Sequence, residues 1–190
     1  MANQPFRATS AKRTALTVWL AAACLFAGVS ISGRMGYRIN GTSSVPVGIW
    51  RVIPLAGGIE RGQIVSLCPP PNAAFLEAQA RGYLSKGRCP GGLEPMLKPV
   101  AGIAGDVIEQ TPAGLILNGQ FLPNTLALAA DGRGRPLGRV REGRIVVKDN
   151  EAYLISTATG RSFDSRYFGP LPLTAIEGIA VPVWIIAGHR

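Results

Sequence analysis

Gly114-Leu115-Ile116-Leu117-Asn118-Gly119-Gln120-Phe121-Leu122 reads as two short strands joined by a tight turn. Asn-Gly at its centre supplies the two positive-φ positions of a type I′ turn, whose twist suits an antiparallel pair. Related patterns recur on both sides. Gly143-Arg144-Ile145-Val146-Val147-Lys148 and Glu151-Ala152-Tyr153-Leu154-Ile155-Ser156 predict a second hairpin around Asp149-Asn150. Upstream, Asp106-Val107-Ile108-Glu109 is strand-like, Gly48 to Ile53 alternates before Pro54, and Arg61 to Leu67 follows a Gly57-Gly58 turn. Ile176 to Ile186 is an apolar strand containing Pro182, which predicts an edge position or a bulge. With 24 glycines and 15 prolines in 190 residues, the chain suits a turn-rich, mostly antiparallel β domain over residues 34–190.

One insertion departs from this pattern. Pro69-Pro70-Pro71 stops a strand, Asn72 can cap a helix over Ala73 to Arg81, and Gly82 can close it. This predicted helical arm, 72–82, lies between Cys68 and Cys89. A disulfide closing that loop would stabilise the fold by about 3 kcal/mol and would imply an oxidising compartment. Two unpaired buried thiols are the alternative. A metal site needs more thiol or imidazole ligands than these cysteines and the single His189 provide, so no metal or other cofactor is expected.

The net charge of +9 is unevenly spread. Arg7, Lys12, Arg13, Arg34, Arg38 and Arg51 all precede the first acid, Glu60. Most of the excess therefore flanks an uncharged run of 20 residues, 14–33. As a helix this run reaches about 30 Å, the thickness of a bilayer's hydrocarbon core. The reading is a basic cytoplasmic tail (1–13), a transmembrane helix (14–33) with Cys24 as a packing residue, and an exterior domain (34–190). A cleaved signal peptide is the competing reading, with Ala27-Gly28-Val29-Ser30 as a cleavage site; its apolar core is shorter, about 7–15 residues. Arg133, Arg135, Arg139, Arg141 and Arg144 form the one basic cluster that could suit nucleic acid. Without stacking aromatics interleaved, it reads as a solvated loop (131–144), and no nucleic-acid partner is expected.

Chemistry follows from what the chain lacks. With one histidine, at the penultimate position, a serine hydrolase built on a histidine base is improbable. A serine activated by a neutral lysine remains. Ser44, in Thr42-Ser43-Ser44-Val45-Pro46, stands just beyond the uncharged run, and Lys98 follows 54 residues later. Lysine acts as a base only after burial has lowered its pKa from about 10.4, and Met96, Leu97, Pro99, Val100 and Ile103 supply apolar surroundings. The plain alternative for Lys98 is a surface lysine in a turn. Lys86, in a polar loop, and Lys148, beside Asp149, are weaker bases. The Ser44 N–H and the Thr42 hydroxyl are candidate donors to the oxyanion.

Four ordered blocks carry a resemblance: Asn40 to Ile49, Arg61 to Val65, Lys98-Pro-Val-Ala-Gly102-Ile-Ala-Gly105-Asp106, and Ser162-Phe163-Asp164-Ser165-Arg166-Tyr167-Phe168-Gly169. Together they resemble type I signal peptidases, most of all the conjugative-transfer TraF branch, over about residues 14 to 181. The resemblance implies a signal-peptidase-like antiparallel β domain with Ser44 as nucleophile and Lys98 as general base. It further implies Thr42 as an oxyanion donor, Ser162 as the hydroxyl that orients the lysine, and Asp164 with Arg166 as a buried ion pair. Two residues apart on a strand, those last two would share a face. Pro99 after Lys98, and Ile155 to Arg161 in place of a Gly-Asp-Asn block, depart from the general family and are compatible with the TraF branch.

The expected function is a membrane-anchored serine endopeptidase that processes a signal-peptide-bearing precursor. By resemblance, that precursor is a conjugative prepilin, cut after small residues, with pilin cyclisation as one way to resolve the acyl-enzyme. The expected partners are the precursor, membrane lipid and a conjugative transfer apparatus; the expected location is the bacterial inner membrane with the catalytic domain in the periplasm. A catalytically inactive anchored scaffold subunit is the alternative, and the self-cleaving repressors lack support because their DNA-binding module is missing.

Overall fold

The computed structural model describes residues 8–138 and 140–186. His189, Arg139 and the start of the basic tail lie outside the described residues. The chain divides into two units, Met1–Tyr37 and Arg38–Arg190. The first holds helix α1, Ala8–Arg34, on which Cys24 is free and exposed. Among the described residues no helix is long and apolar enough to cross a membrane. Within the expected 14–33 span, the side chains at 25 and 27–32 lie outside what is described.

The β domain is built from two antiparallel sheets. The larger takes its strands in the order β1-β2-β12-β3-β5-β10-β11. These are β1 Tyr37–Asn40, β2 Gly48–Ile53, β3 Ile64–Leu67, β5 Met96–Gly102, β10 Glu151–Leu154, β11 Leu171–Pro172 and β12 Ile176–Ile185. The smaller runs β8-β7-β6-β9, from Gln120–Leu122, Gly114–Leu117, Val107–Thr111 and Gly143–Val146 respectively. A short strand β4, Lys86–Cys89, and two short helices complete the domain: α2, Ala73–Ala80, and α3, Ser165–Phe168.

Local sequence explains several of these elements. Asn118 and Gly119 adopt φ of 49° and 84°, and Leu117 pairs with Gln120 across them, as a type I′ hairpin requires. Helix α2 starts at Asn72, whose side chain accepts from the Phe75 N–H, and the chain leaves it through Gly82 at φ 80°. Its Phe75 and Ala78 are buried against Val65, Leu67, Leu154 and Leu171 of the larger sheet. Ile108, Leu115, Val147, Tyr153 and Ile155 form a second core. Both cores rest on period-two alternation that turns one face of each sheet inward.

Two expectations need correction, and a third is decided between its alternatives. The segments around Asp149-Asn150 do not pair as a hairpin: β9 joins β6, while β10 joins β5 and β11. The chain crosses between sheets at that turn because Ile145 is claimed by Ile108 and Leu154 by Val100. Of the two positions expected for Pro182, the bulge holds, in a strand β12 that lies between β2 and β3. Pro182 is tolerated because β12 pairs only with β2 there, and the register shifts between Pro182 and Trp184. Finally, Asp164 and Arg166 stand at the N-cap and first turn of α3, not on a strand.

Asp106 holds the corner between β5 and β6. It accepts from Arg61 Nε at 2.7 Å, Asn118 Nδ2 at 2.7 Å and the Ile103 N–H at 2.8 Å. The Arg61 hydrogen bond leads in holding its carboxyl well below the usual carboxylate range, with Asn118 and Ile103 adding to it against desolvation.

Cys68 and Cys89 form a disulfide, Cα to Cα 5.3 Å, that closes the loop carrying α2 onto the sheet. A thiol-reactive label on the unfolded, unreduced chain should find only Cys24, and reductant should add two more reactive cysteines. Free labelling of Cys68 or Cys89 before reduction would contradict the bridge. Its removal should cost about 3 kcal/mol of unfolding free energy.

Candidate active site

The site begins with where β5 puts Lys98. The strand alternates buried and partly buried positions, with Met96, Lys98, Val100 and Gly102 all inward. Lys98 thus points the way core residues point. Pairing of Val65 with Lys98 on one side, and of β10 with β5 on the other, leaves the strand no freedom to turn it outward. Its side chain is 5% exposed.

Ser44 comes from the loop after β1, and Asn40 organises that loop. The Asn40 amide donates to the carbonyls of Thr42 at 2.8 Å, Val45 at 2.9 Å and Pro46 at 3.1 Å. Its Oδ1 accepts from the Thr42 N–H at 3.2 Å and hydroxyl at 2.9 Å. Trp50 Nε1 adds a bond to the Pro46 carbonyl at 3.0 Å. From the opposite side, the Ser156 hydroxyl donates to the Ser44 carbonyl at 2.6 Å. The Ser44 backbone is therefore pinned at both ends. Asn40 was part of a quoted motif but had no assigned role, and Ser156 stood in the segment that departs from the general family. Nothing in the sequence pointed to either role, since both side chains act on backbone carbonyls.

Three side chains converge where these elements meet. Lys98 Nζ lies 3.1 Å from Ser44 Oγ and 2.8 Å from Ser162 Oγ, and the two hydroxyl oxygens are 3.1 Å apart. Burial pushes the lysine pKa from 10.5 down to about 8; Asp164 works against the shift and Arg166 with it. Desolvation dominates because an ammonium loses more hydration than a neutral amine on entering the core. A neutral amine has one lone pair and two N–H groups. The lone pair can accept from Ser44 while an N–H donates to Ser162, so the triangle satisfies both hydroxyls.

The carboxylate nearest this amine is already committed. Asp164 is gripped through both oxygens by Arg166, Nε to Oδ1 and Nη2 to Oδ2, each 2.8 Å. Both residues are 0% exposed. The remaining Arg166 donors reach the carbonyls of Asn124, Leu126, Gly160 and Ser162 at 3.1–3.3 Å. Asp164 also accepts from the Ser156 N–H at 3.3 Å. The pair therefore braces both the Ser162 segment and, through Ser156, the Ser44 loop.

All of this opens into a groove of about 680 Å³ in the β domain, floored by Ser44 and Lys98 and walled by Thr42, Leu97, Leu128 and Phe163. Thr42 lines the groove, with its hydroxyl turned to Asn40; donation to an oxyanion requires rotation about χ1, after which the Thr42 N–H still holds Asn40. The other lysines do not reach the site: Lys86 is exposed, and Lys148 faces Glu151 at 3.4 Å. No group of three or more metal-ligating side chains occurs among the described residues.

Comparisons with known proteins agree in kind with this geometry. The family model described as "Signal peptidase, peptidase S26" matches residues 11–185. A conjugal transfer protein TraF of Agrobacterium fabrum is 36% identical, covering 91% of this chain and 97% of its own. A plasmid transfer protein TraF of Escherichia coli is 37% identical over 85% of this chain and 89% of its own. A probable conjugal transfer protein TraF of Sinorhizobium fredii is 40% identical over 78% and 77%.

Replacing Arg166 by Met keeps much of the volume but strands the Asp164 charge. Urea unfolding should show a loss of about 3–5 kcal/mol, because an uncompensated buried charge is left behind. The double variant Asp164→Leu, Arg166→Met should recover part of it. A loss below about 1 kcal/mol for Arg166→Met would show that the pair does not brace the site.

Proposed function

Because this chain belongs to the signal peptidase, peptidase S26 family, we propose that it is a serine peptidase using Ser44 as nucleophile and Lys98 as general base. The observation that carries the reading is the buried contact of Lys98 Nζ with Ser44 Oγ and Ser162 Oγ at the floor of an open groove. A scaffold subunit would have no need to bury an amine against two hydroxyls where an apolar residue would cost less.

In the proposed cycle, Ser44 Oγ attacks a substrate carbonyl and its proton passes to the Lys98 amine. The Ser44 N–H and a rotated Thr42 hydroxyl receive the oxyanion. Collapse breaks the C–N bond, the leaving amine takes the proton from Lys98, and an ester to Ser44 remains. A water then attacks the ester carbonyl and gives a proton to Lys98; collapse breaks the bond to Ser44 Oγ, which takes that proton back from Lys98, and the acid is released. If the substrate's own amino group attacks instead, the product is cyclic. Ser162 acts throughout by fixing the lysine's lone pair on Ser44.

The substrate we propose is a precursor of a conjugative transfer apparatus, supported by the TraF names of the relatives, with a prepilin as the specific case. Anchoring in the inner membrane by residues 14–33, with the β domain in the periplasm, is supported by the 20 uncharged residues there and by the disulfide.

Ser44→Ala and Lys98→Ala should each abolish precursor processing in membranes while leaving the protein's abundance unchanged. Unchanged processing by either variant would contradict the dyad. The pH profile carries a sign. Below pH 8 Lys98 is increasingly protonated, so kcat/KM should rise about tenfold per pH unit toward pH 8 and level off above it. A profile that falls between pH 6 and 8 would contradict a lysine base.

A further inference from the structure

We propose that the groove carries a carboxylate subsite, formed by Arg161 and Arg133, that reads one negative charge on the peptide beside the scissile bond. Five charged side chains besides Lys98 line the groove: Arg38, Glu94, Asp131, Arg133 and Arg161. Three are engaged elsewhere. Asp131 pairs with Arg135 Nε at 2.7 Å, accepts from the Arg133 and Arg135 N–H groups and takes a hydrogen bond from the Tyr83 hydroxyl. Glu94 accepts from the Ser85 N–H at 2.7 Å. Arg38 feels Arg88 and Glu177.

Arg161 and Arg133 differ. Among the described residues neither guanidinium has an ion-pair partner, and both side chains are exposed on the groove. Arg161 directly precedes Ser162 and is exposed on the groove where Ser162 is buried. Gly132 adds a second observation: a Cβ there would come within 3.4 Å of Arg161 Nη2. The guanidinium therefore lies against the backbone of the loop that carries Arg133. Asp131, by accepting from the Arg133 N–H at 2.8 Å, fixes the turn that presents Arg133. That turn in turn is tied to the α2 arm, because Arg81 Nη1 donates to the Pro136 carbonyl at 2.6 Å.

The electrostatic sense is unambiguous. The active form of Lys98 is neutral, so two unspent cations set the potential on this side of the groove. A carboxylate placed there gains charge-assisted, potentially bidentate hydrogen bonds. Its source is either an Asp or Glu side chain or the free end of a chain. The assignment rests on the peptidase reading only in making the groove's occupant a peptide.

The test uses the full chain in detergent with Ser44→Ala, so that binding is read without turnover. Fluorescent peptides of small and apolar residues would carry Asp or Asn at each position in turn, each made as a free acid and as an amide. At one position or at the chain end, the acid should bind about tenfold tighter than its neutral counterpart. Arg161→Gln and Arg133→Gln should each shrink that ratio, and the double variant should bring it to about one. Internal Asp preference assigns a side chain; preference for the free acid alone assigns a chain terminus. Equal binding of Asp, Asn, acid and amide forms throughout would overturn the proposal. So would loss of binding to phosphatidylglycerol vesicles in the double variant without any peptide preference, which would make these arginines lipid contacts. The peptidase reading is tested apart, by cleavage of the same peptides with Ser44 restored: absent cleavage with intact charge preference defeats only that reading.

Discussion

Lowering the pKa of an amine inside a protein requires denying it both water and a counterion, and the structure does both at Lys98. Water is excluded by placing the side chain on the inward face of β5, between β3 and β10. The counterion is denied by Arg166, which occupies both oxygens of the one buried carboxylate nearby. Were Asp164 free to approach the amine, its attraction would favour the ammonium and raise the pKa. Matched to arginine, it contributes opposing influences with its partner, and desolvation decides the outcome. The amine is left with hydroxyl partners only.

The remainder of the site follows from presenting a serine to that fixed amine. Asn40 satisfies three carbonyls of the Ser44 loop, and Ser156 takes the Ser44 carbonyl from the other side. Ser156 is itself held by Asp164. One buried ion pair thus serves two purposes, sparing the lysine a counterion and fixing the Ser44 backbone. The two purposes are coupled through a single carboxylate, so a change at Asp164 disturbs both.

Local chemistry made parts of the fold readable. Asn118-Gly119 dictated its hairpin because few residues accept positive φ twice in succession, and Asn72 with Gly82 marked the ends of the α2 arm by capping. The pairing of β9 and β10 was not readable: Asp149-Asn150 is a turn either way, and only competition between two sheets decides that the strands part there. Pro182 was ambiguous for a similar reason, since a proline needs one unpaired side of a strand and not a whole edge. At the site, Ser44 and Lys98 were legible because the single histidine left so few bases. The burial of Lys98 was not legible, because Leu97 and Pro99 are as apolar as Met96 and Val100 and only the pairing of β5 turns alternate residues inward. Asp164 and Arg166 were legible as a pair and wrongly placed on a strand, because Asp-Ser-Arg-Tyr-Phe fits a capped turn as well as an extended one. Asn40 and Ser156 act through backbone carbonyls, which leave no pattern in the side-chain sequence.

The most direct test is titration of the Lys98 side-chain nitrogen by NMR, in chain labelled with ¹⁵N lysine and assigned with Lys98→Arg. A midpoint near pH 8 is the expected result. A midpoint at the ordinary lysine value of about 10.4 would leave only about one amine in 2500 neutral at pH 7, against about one in ten for a midpoint near 8, and the proposed base would be lost.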